Sequence, residues 1–280
     1  MVPGIAPKPA VPLMAAQPKK PGHMLVLGTG FVGRYVSERL LAQGWRVSGT
    51  CTSAAKKMEL KKLGMDVSVF DATRSNLANL HAVQDATHLL ISIPPIPGVG
   101  DPLLSSHADL QRTVTNSNLQ WLCYLSSTSV YGDYGGAWVN EDHVVNPKSE
   151  SSKLRYAAEE GWLDLADELD LSTFVLRLGG IYGPGRRKIY NVVDDDSAPR
   201  AEVFAFAQSL IEKIYPDLAT DSAGPDSQDR IIAAEKRVSN ARLKEELGVS
   251  LVHPSYRSGL QSILDSWLAE STISRKMDDV

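Results

Sequence analysis

Two cysteines in 280 residues are too few for a disulfide framework. Cys51 and Cys123 both fall at apolar, strand-like positions, where a free thiol behaves as a small buried hydrophobe in a reducing compartment. No stretch approaches the roughly 18 uninterrupted apolar residues of a membrane span. The expectation is a soluble protein of cytoplasm or plastid with no membrane partner. Six histidines are scattered and none has H-x3-H spacing, so no metal site is expected. An excess of basic charge is also lacking. The formal net charge of −4 leaves no strong positive field for nucleic acid, and Lys56-Lys57 and Lys61-Lys62 read as a solvated helix face. Acids are missing from the N-terminal stretch, where none precedes Glu38. Residues 1–22, MVPGIAPKPAVPLMAAQPKKPG, are rich in Pro and Ala and cannot bury enough surface to offset ordering, so a disordered leader is expected. An organelle transit peptide is one reading of it, since such peptides avoid acids. A bland flexible tail is the other, because Ser, Thr and Arg are absent as well.

What the chain does have is alternation. Apolar strand-like runs at Met24–Leu27, Trp45–Thr50, Val67–Asp71, His88–Ile93, Trp121–Ser127 and Ser172–Leu178 are separated by helical patterns. Those helices are expected over 31–43, 54–63, 101–118 and 150–168. Val32, Val36 and Leu40 form the i, i+4 stripe of the first. Near-continuously apolar strands spaced by helices indicate an α/β protein with a parallel sheet covered on both faces. Beyond Gly185 the pattern weakens. Lys188–Val193 reads as one more strand, and 200–214, 239–247 and 256–268 as helices. The polar stretch 215–230 reads as a loop. This divides the chain into a leader (1–22), a dinucleotide-binding domain (23–185), a small lobe (186–270) and a tail (271–280).

Gly28, Gly30 and Gly33 form G-x-G-x-x-G between the first strand and the first helix, the context this motif requires. Gly28 permits a tight turn, Gly30 leaves no side chain between backbone and a pyrophosphate, and Gly33 lets helix and sheet pack closely. The amides of the helix starting at Phe31 and Val32 then favour the phosphates. A cofactor without a 2′-phosphate usually meets Asp or Glu at the end of the second strand. This chain has Gly49-Thr50-Cys51-Thr52-Ser53 there, and no carboxylate before Glu59. Thr52 and Ser53 can donate to a phosphate and Lys56 can reach it, although no arginine stands there. NADP is therefore expected, with NAD as the alternative. Asp71 is placed to accept from the adenine amino group or to cap the following turn.

The fifth strand runs into Leu125-Ser-Ser-Thr-Ser-Val-Tyr-Gly132, and the sixth ends in Arg177-Leu-Gly-Gly-Ile-Tyr-Gly-Pro-Gly185. With the glycine turn before them and Arg237-Val-Ser-Asn-Ala-Arg-Leu243 after them, these resemble the extended short-chain dehydrogenase/reductases, the NAD-dependent epimerase/dehydratase family. The resemblance covers Met24 to about Gly185. It implies a Rossmann-type doubly wound sheet with a small, shortened C-terminal substrate lobe. It also implies a small hydroxyl or carbonyl substrate, with Ser127, or Thr128 beside it, polarising the substrate oxygen.

The family's Y-x-x-x-K pair is missing. Matching on Glu159 puts Ser151 at the Tyr position and Arg155 at the Lys position. Tyr131 is the nearest substitute phenol, or else a packed aromatic, and Arg155 is a candidate to hold ribose or phosphate. The chain thus looks like an atypical member of the family. Its expected function is an NADP-dependent oxidoreductase or epimerase, and the alternative is a non-catalytic dinucleotide-binding regulatory or redox-sensing protein. A homodimer is the expected form of any self-assembly. A second departure follows Gly185, where relatives often carry an R-x-x-H-V-x-D stretch. Here Arg186-Arg187-Lys188 leads directly into Ile189-Tyr-Asn-Val-Val-Asp-Asp-Asp196, and no His occurs between His143 and His253. A strand–helix unit is therefore expected to be absent, with one cleft wall lost and a bare sheet edge exposed.

Overall fold

The computed structural model describes residues 22–179, 188–214 and 236–278. The leader up to Pro21, the Gly180–Gly185 part of the sixth-strand motif and the 215–230 loop lie outside the described residues.

Seven parallel strands form one sheet: β1 (His23–Leu27), β2 (Arg46–Cys51), β3 (Asp66–Val69), β4 (His88–Ile91), β5 (Trp121–Ser127), β7 (Ser172–Leu178) and β8 (Lys188–Val192). Their order is β3-β2-β1-β4-β5-β7-β8, a doubly wound, Rossmann-type arrangement. A two-residue strand, β6 (Trp138–Val139), pairs separately with β9 (Arg237–Val238).

The period-2 alternation of each strand sorts its side chains between two cores. Leu25, Leu27, Leu89, Ile91, Leu122, Tyr124 and Val175 face one way. There they meet α3 (Ala82–Asp85), α4 (His107–Thr115) and α5 (Glu150–Glu168), through Val83, Leu110, Val114, Trp162 and Leu165. Met24, Val26, Val47, Leu90, Cys123 and Leu176 face the other way. They pack against the Val32, Val36 and Leu40 stripe of α1 (Phe31–Ala42), Leu60 of α2 (Ala54–Lys61) and Leu243 of α7 (Ala241–Leu247). Cys51 and Cys123 are free and buried in this second core.

The remaining helices, α6 (Arg200–Ile214) and α8 (Tyr256–Asp278), pack on each other. Arg257 bonds Glu202 at 2.5 Å and Asp196 at 2.6 Å. The lobe is clasped to the sheet by the Arg237–Leu243 motif. Asn240 Nδ2 donates to the Val193 carbonyl at 2.9 Å and to Asp195 at 2.8 Å, and Lys244 pairs with Asp195. Asp195 and Asp196 are thus ion-paired anchors of the lobe.

Three elements differ from expectation. The helix expected from Asp101 begins as a 3-10 turn at Leu104–Ser106, because the Asp101 carboxylate caps the Leu103 and Leu104 amides first. Residues 271–278 continue α8 rather than forming a tail, since no Gly or Pro follows Gly259 to end the helix. The sheet edge on this side is β8, the last strand in the order, and not β7. Only nine residues separate Leu178 from Lys188, against about a dozen or more for a usual parallel crossover. Strand β8 nevertheless pairs from Phe174↔Lys188 to Leu178↔Val192, with Tyr190 and Val192 buried.

Candidate functional site

Strands β1 and β4 are neighbours whose chain connections run in opposite directions, so the crevice at their C-terminal ends is the topological switch point where open α/β sheets bind ligands. The glycine turn sits there, and its three glycines have different physical reasons. Gly28 has φ +90°, and a Cβ on it would lie 2.9 Å from Ile93 Cγ1. A Cβ on Gly33 would lie 2.7 Å from the Gly28 carbonyl oxygen. The fold itself demands both. Gly30 is different: it has an ordinary negative φ of −79°, and no protein atom lies within 4 Å of where its Cβ would stand. Nothing in the protein requires a glycine at that position, whereas a ligand lying against the backbone would. This is the cradle that a dinucleotide pyrophosphate fits.

The amides around it are sorted accordingly. Gly28 N–H donates to Thr50 Oγ1 and Thr29 N–H to the Thr50 carbonyl, each at 2.8 Å, which ties the turn to β2. Helix α1 has no side-chain cap, in contrast to α2, capped by Ser53, and α5, capped by Ser149. Its first-turn amides, those of Phe31 and Val32 among them, therefore receive no side-chain cap. The Phe31 ring is 93% exposed beside them.

The second-strand residues divide. Thr52 is exposed. The Ser53 hydroxyl accepts the Lys56 amide, and the Lys56 ammonium is 2.9 Å from Glu59. Arg34, in the first turn of α1, reaches the same Glu59 carboxylate at 2.5 Å. Sequence reasoning looked for an arginine on the second strand and missed this one. The signal was its position directly after Gly33, in a helix that starts at the same sheet edge as α2. Asp71 lies just past β3 and caps its own turn, accepting from the Thr73 amide at 3.0 Å and the Thr73 hydroxyl at 2.7 Å. Those bonds, with Arg74 nearby, hold its carboxyl below the usual range.

At the end of β5, Ser127 is half-buried and its hydroxyl accepts the Ser129 amide at 3.2 Å, with Thr128 next to it. Arg155 extends from α5 to the Leu125 carbonyl at 2.9 Å, two residues before Ser127. Ser151 stands in the first turn of α5 beside Ser149. Tyr131 is elsewhere: it is fully buried, and its hydroxyl donates to Asn191 on β8 at 2.8 Å. Burial pushes its phenol up, away from proton exchange near neutral pH. Behind Ser127, the buried Ser126 hydroxyl donates to Glu159, which also holds Arg177, and Arg177 lies over the Tyr131 ring at 4.8 Å. Glu141 accepts the Asn191 amide at 2.6 Å and so pins β8. Among the described residues no group of three or more His, Cys, Asp or Glu side chains is placed to hold a metal, and no helix is long and apolar enough to cross a membrane.

No family model matches the chain. Protein YeeZ of Escherichia coli K12 is 30% identical over 166 residues, which are 58% of this chain and 59% of YeeZ. The match thus spans less than two thirds of that relative's length. A solved structure of a functionally unknown conserved protein from Silicibacter pomeroyi DSS superimposes with a TM-score of 0.70 at 28% identity, covering 88% of this chain and 99% of that one. The UDP-glucuronic acid 4-epimerase of Bacillus cereus, solved in complex with NAD, superimposes with a TM-score of 0.63 at 18% identity, covering 85% of this chain and 94% of the epimerase.

Proposed function

We propose that this chain is an extended short-chain dehydrogenase/reductase of the NAD-dependent epimerase/dehydratase type, binds a nicotinamide dinucleotide, NADP(H) in preference to NAD(H), and acts as an oxidoreductase or epimerase on a small hydroxyl or carbonyl compound. The open space over Gly30 is the observation that carries this reading, because no protein atom near its Cβ position demands a glycine there. The NAD held by the Bacillus cereus epimerase, a protein of the same fold, supports it.

The Phe31 and Val32 amides and the α1 dipole hold the pyrophosphate. When bound, the nicotinamide supplies or accepts a hydride. Ser127 ends β5 with a hydroxyl that already accepts one bond and can donate its proton to a substrate oxygen. Arg155 keeps a fixed positive charge next to that strand end and cannot itself act as a base. Tyr131, locked against Asn191, is a wall of the fold rather than a proton donor. Proton transfer is left to solvent or to the substrate's own groups, and turnover is expected to be slow.

Titration of the purified chain with NADPH and with NADH, followed by cofactor fluorescence, tests the reading. Tighter binding of NADPH is expected. Binding of neither dinucleotide at millimolar concentration would overturn the proposal, and NADH binding at least as tight would overturn the preference.

A further inference from the structure

We propose that the groove between helix α1 and strands β5 and β7 is a second small-molecule site, and that it takes a medium-chain alkyl carboxylate with its head on Arg39. Binding there requires no dinucleotide.

A parallel sheet ordinarily has both faces covered. On the face that carries Tyr124 and Val175, α5 lies across β5 and β7. On the other face α1 packs beside β1 and β2, and α7 packs beside β8. The strands between them keep a groove of about 310 Å³, and among the described residues its lining comes from α1, its C-terminal Gln43 and the sheet alone. Leu90 of β4, Trp121, Cys123 and Leu125 of β5, and Phe174 and Leu176 of β7 form the floor. Burial pushes the Cys123 thiol up, so it stays neutral and adds to that apolar floor.

Size and charge select the occupant. The volume is at the small end of the range for small-molecule sites, roughly 300–1,000 Å³. A docked protein would instead need a buried surface of about 1,000 Å² or more. From Trp121 to Leu125 the groove follows β5 for about 13 Å, the reach of an extended medium-chain tail. The polar groups gather at one end. Helix α1 runs back against β1, so Arg39 and Gln43, in and just after its last turn, stand where β5 begins with Trp121. The Arg39 guanidinium lies over the ring of Tyr35, which lines the same groove, at 5.2 Å from its centroid. Arg34 is paired with Glu38 and Glu59, and Arg46 with Asp85. Arg39, between them in sequence, has no carboxylate at ion-pair distance among the described residues. An apolar cleft ending in an unclaimed guanidinium is complementary to an apolar tail with an anionic head, and the guanidinium fork can hold a carboxylate through two hydrogen bonds.

The test is titration of the full chain, without dinucleotide, with decanoate, 1-decanol and decyltrimethylammonium below their micelle-forming concentrations. Calorimetry and the fluorescence of Trp121 in the groove report binding, and circular dichroism checks that each variant is folded. Decanoate should bind with one-to-one stoichiometry and more tightly than the cationic amphiphile. Arg39→Ala should weaken decanoate about fivefold while 1-decanol stays within about twofold. Leu176→Phe, which fills the floor, should weaken both. The inference is overturned if decanoate does not bind, if it binds no more tightly than decyltrimethylammonium, or if folded Arg39→Ala binds it within about twofold of the unmodified chain. A chain that is dimeric by size-exclusion chromatography and becomes monomeric on Leu176→Phe would assign the groove to a second copy, and equally overturns it. NADPH titration of the same sample is a separate result, and failure of either ligand to bind leaves the other reading standing.

Discussion

Arg177 on β7 lies 2.7 Å from Glu159 on α5, with both side chains out of solvent, at 3% and 0% exposure. Ser126 donates to the same carboxylate and Tyr131 lies under the guanidinium, so the pair joins β5, α5 and β7 just beneath the strand end that carries Ser127. A buried pair of this kind is costly to break because the remaining charge is stranded. Glu159→Ala should therefore lower unfolding free energy by roughly 3–5 kcal/mol. A double variant, Glu159→Leu with Arg177→Met, should cost clearly less than Glu159→Leu or Arg177→Met alone. Urea denaturation of the three proteins checks this, and additive losses would show that the pair is not coupled.

The glycines of the turn should separate cleanly into structural and ligand-directed positions. Gly33→Ala forces a Cβ to within 2.7 Å of the Gly28 carbonyl oxygen, a backbone atom that cannot easily move. A loss of about 1–3 kcal/mol is expected. Gly30→Ala meets no protein atom and should leave the thermal midpoint unchanged or slightly raised. Melting curves without cofactor decide between them, and equal destabilisation would show that Gly30 also has a packing role.

Tyr131→Phe should cost about 1 kcal/mol, because Asn191 Oδ1 loses its donor inside the protein. Turnover on any substrate found by screening should persist in that variant. Ser127→Ala should instead reduce turnover about 100-fold or more at nearly unchanged cofactor affinity. A Tyr131→Phe protein that binds cofactor but is catalytically dead would restore the phenol to the reaction.

Acid should destabilise the fold through two histidines on the sheet. Burial lowers the pKa of His23, with Arg46 adding to the effect, and burial also lowers that of His88. The native state thus favours neutral rings, and His23 Nε2 shares a 2.8 Å hydrogen bond with the Ser48 hydroxyl. The stabilisation is present above the unfolded value of 6.5 and is lost as pH falls through the lower native values. The thermal midpoint should drop between pH 7.5 and 5.5, and a His23→Gln, His88→Gln double variant should flatten that slope. An unchanged slope would place the pH dependence elsewhere.

Much of this architecture was legible because its signals are local. Strands β5 and β7 and helix α5 begin and end where the sequence pattern places them. The glycine spacing gave the turn before any coordinate did. What could not be read were partners far apart in sequence. Arg34 and Glu59 are 25 positions apart, and Tyr131 and Asn191 are 60 apart. Periodicity says which face a residue occupies but not which neighbour it meets, so Tyr131 looked available beside Ser127 when β8 had already claimed it. The short β6–β9 pair was missed for the same reason, since two-residue strands carry no periodicity.

The most direct measurement of the central claim is thermal protection by NADPH in the unmodified chain and in Gly30→Val. The account predicts a rise of several degrees at saturating NADPH for the former, and none for the latter, each measured against its own midpoint in the absence of cofactor. A Gly30→Val protein that is protected as well as the unmodified chain would contradict it.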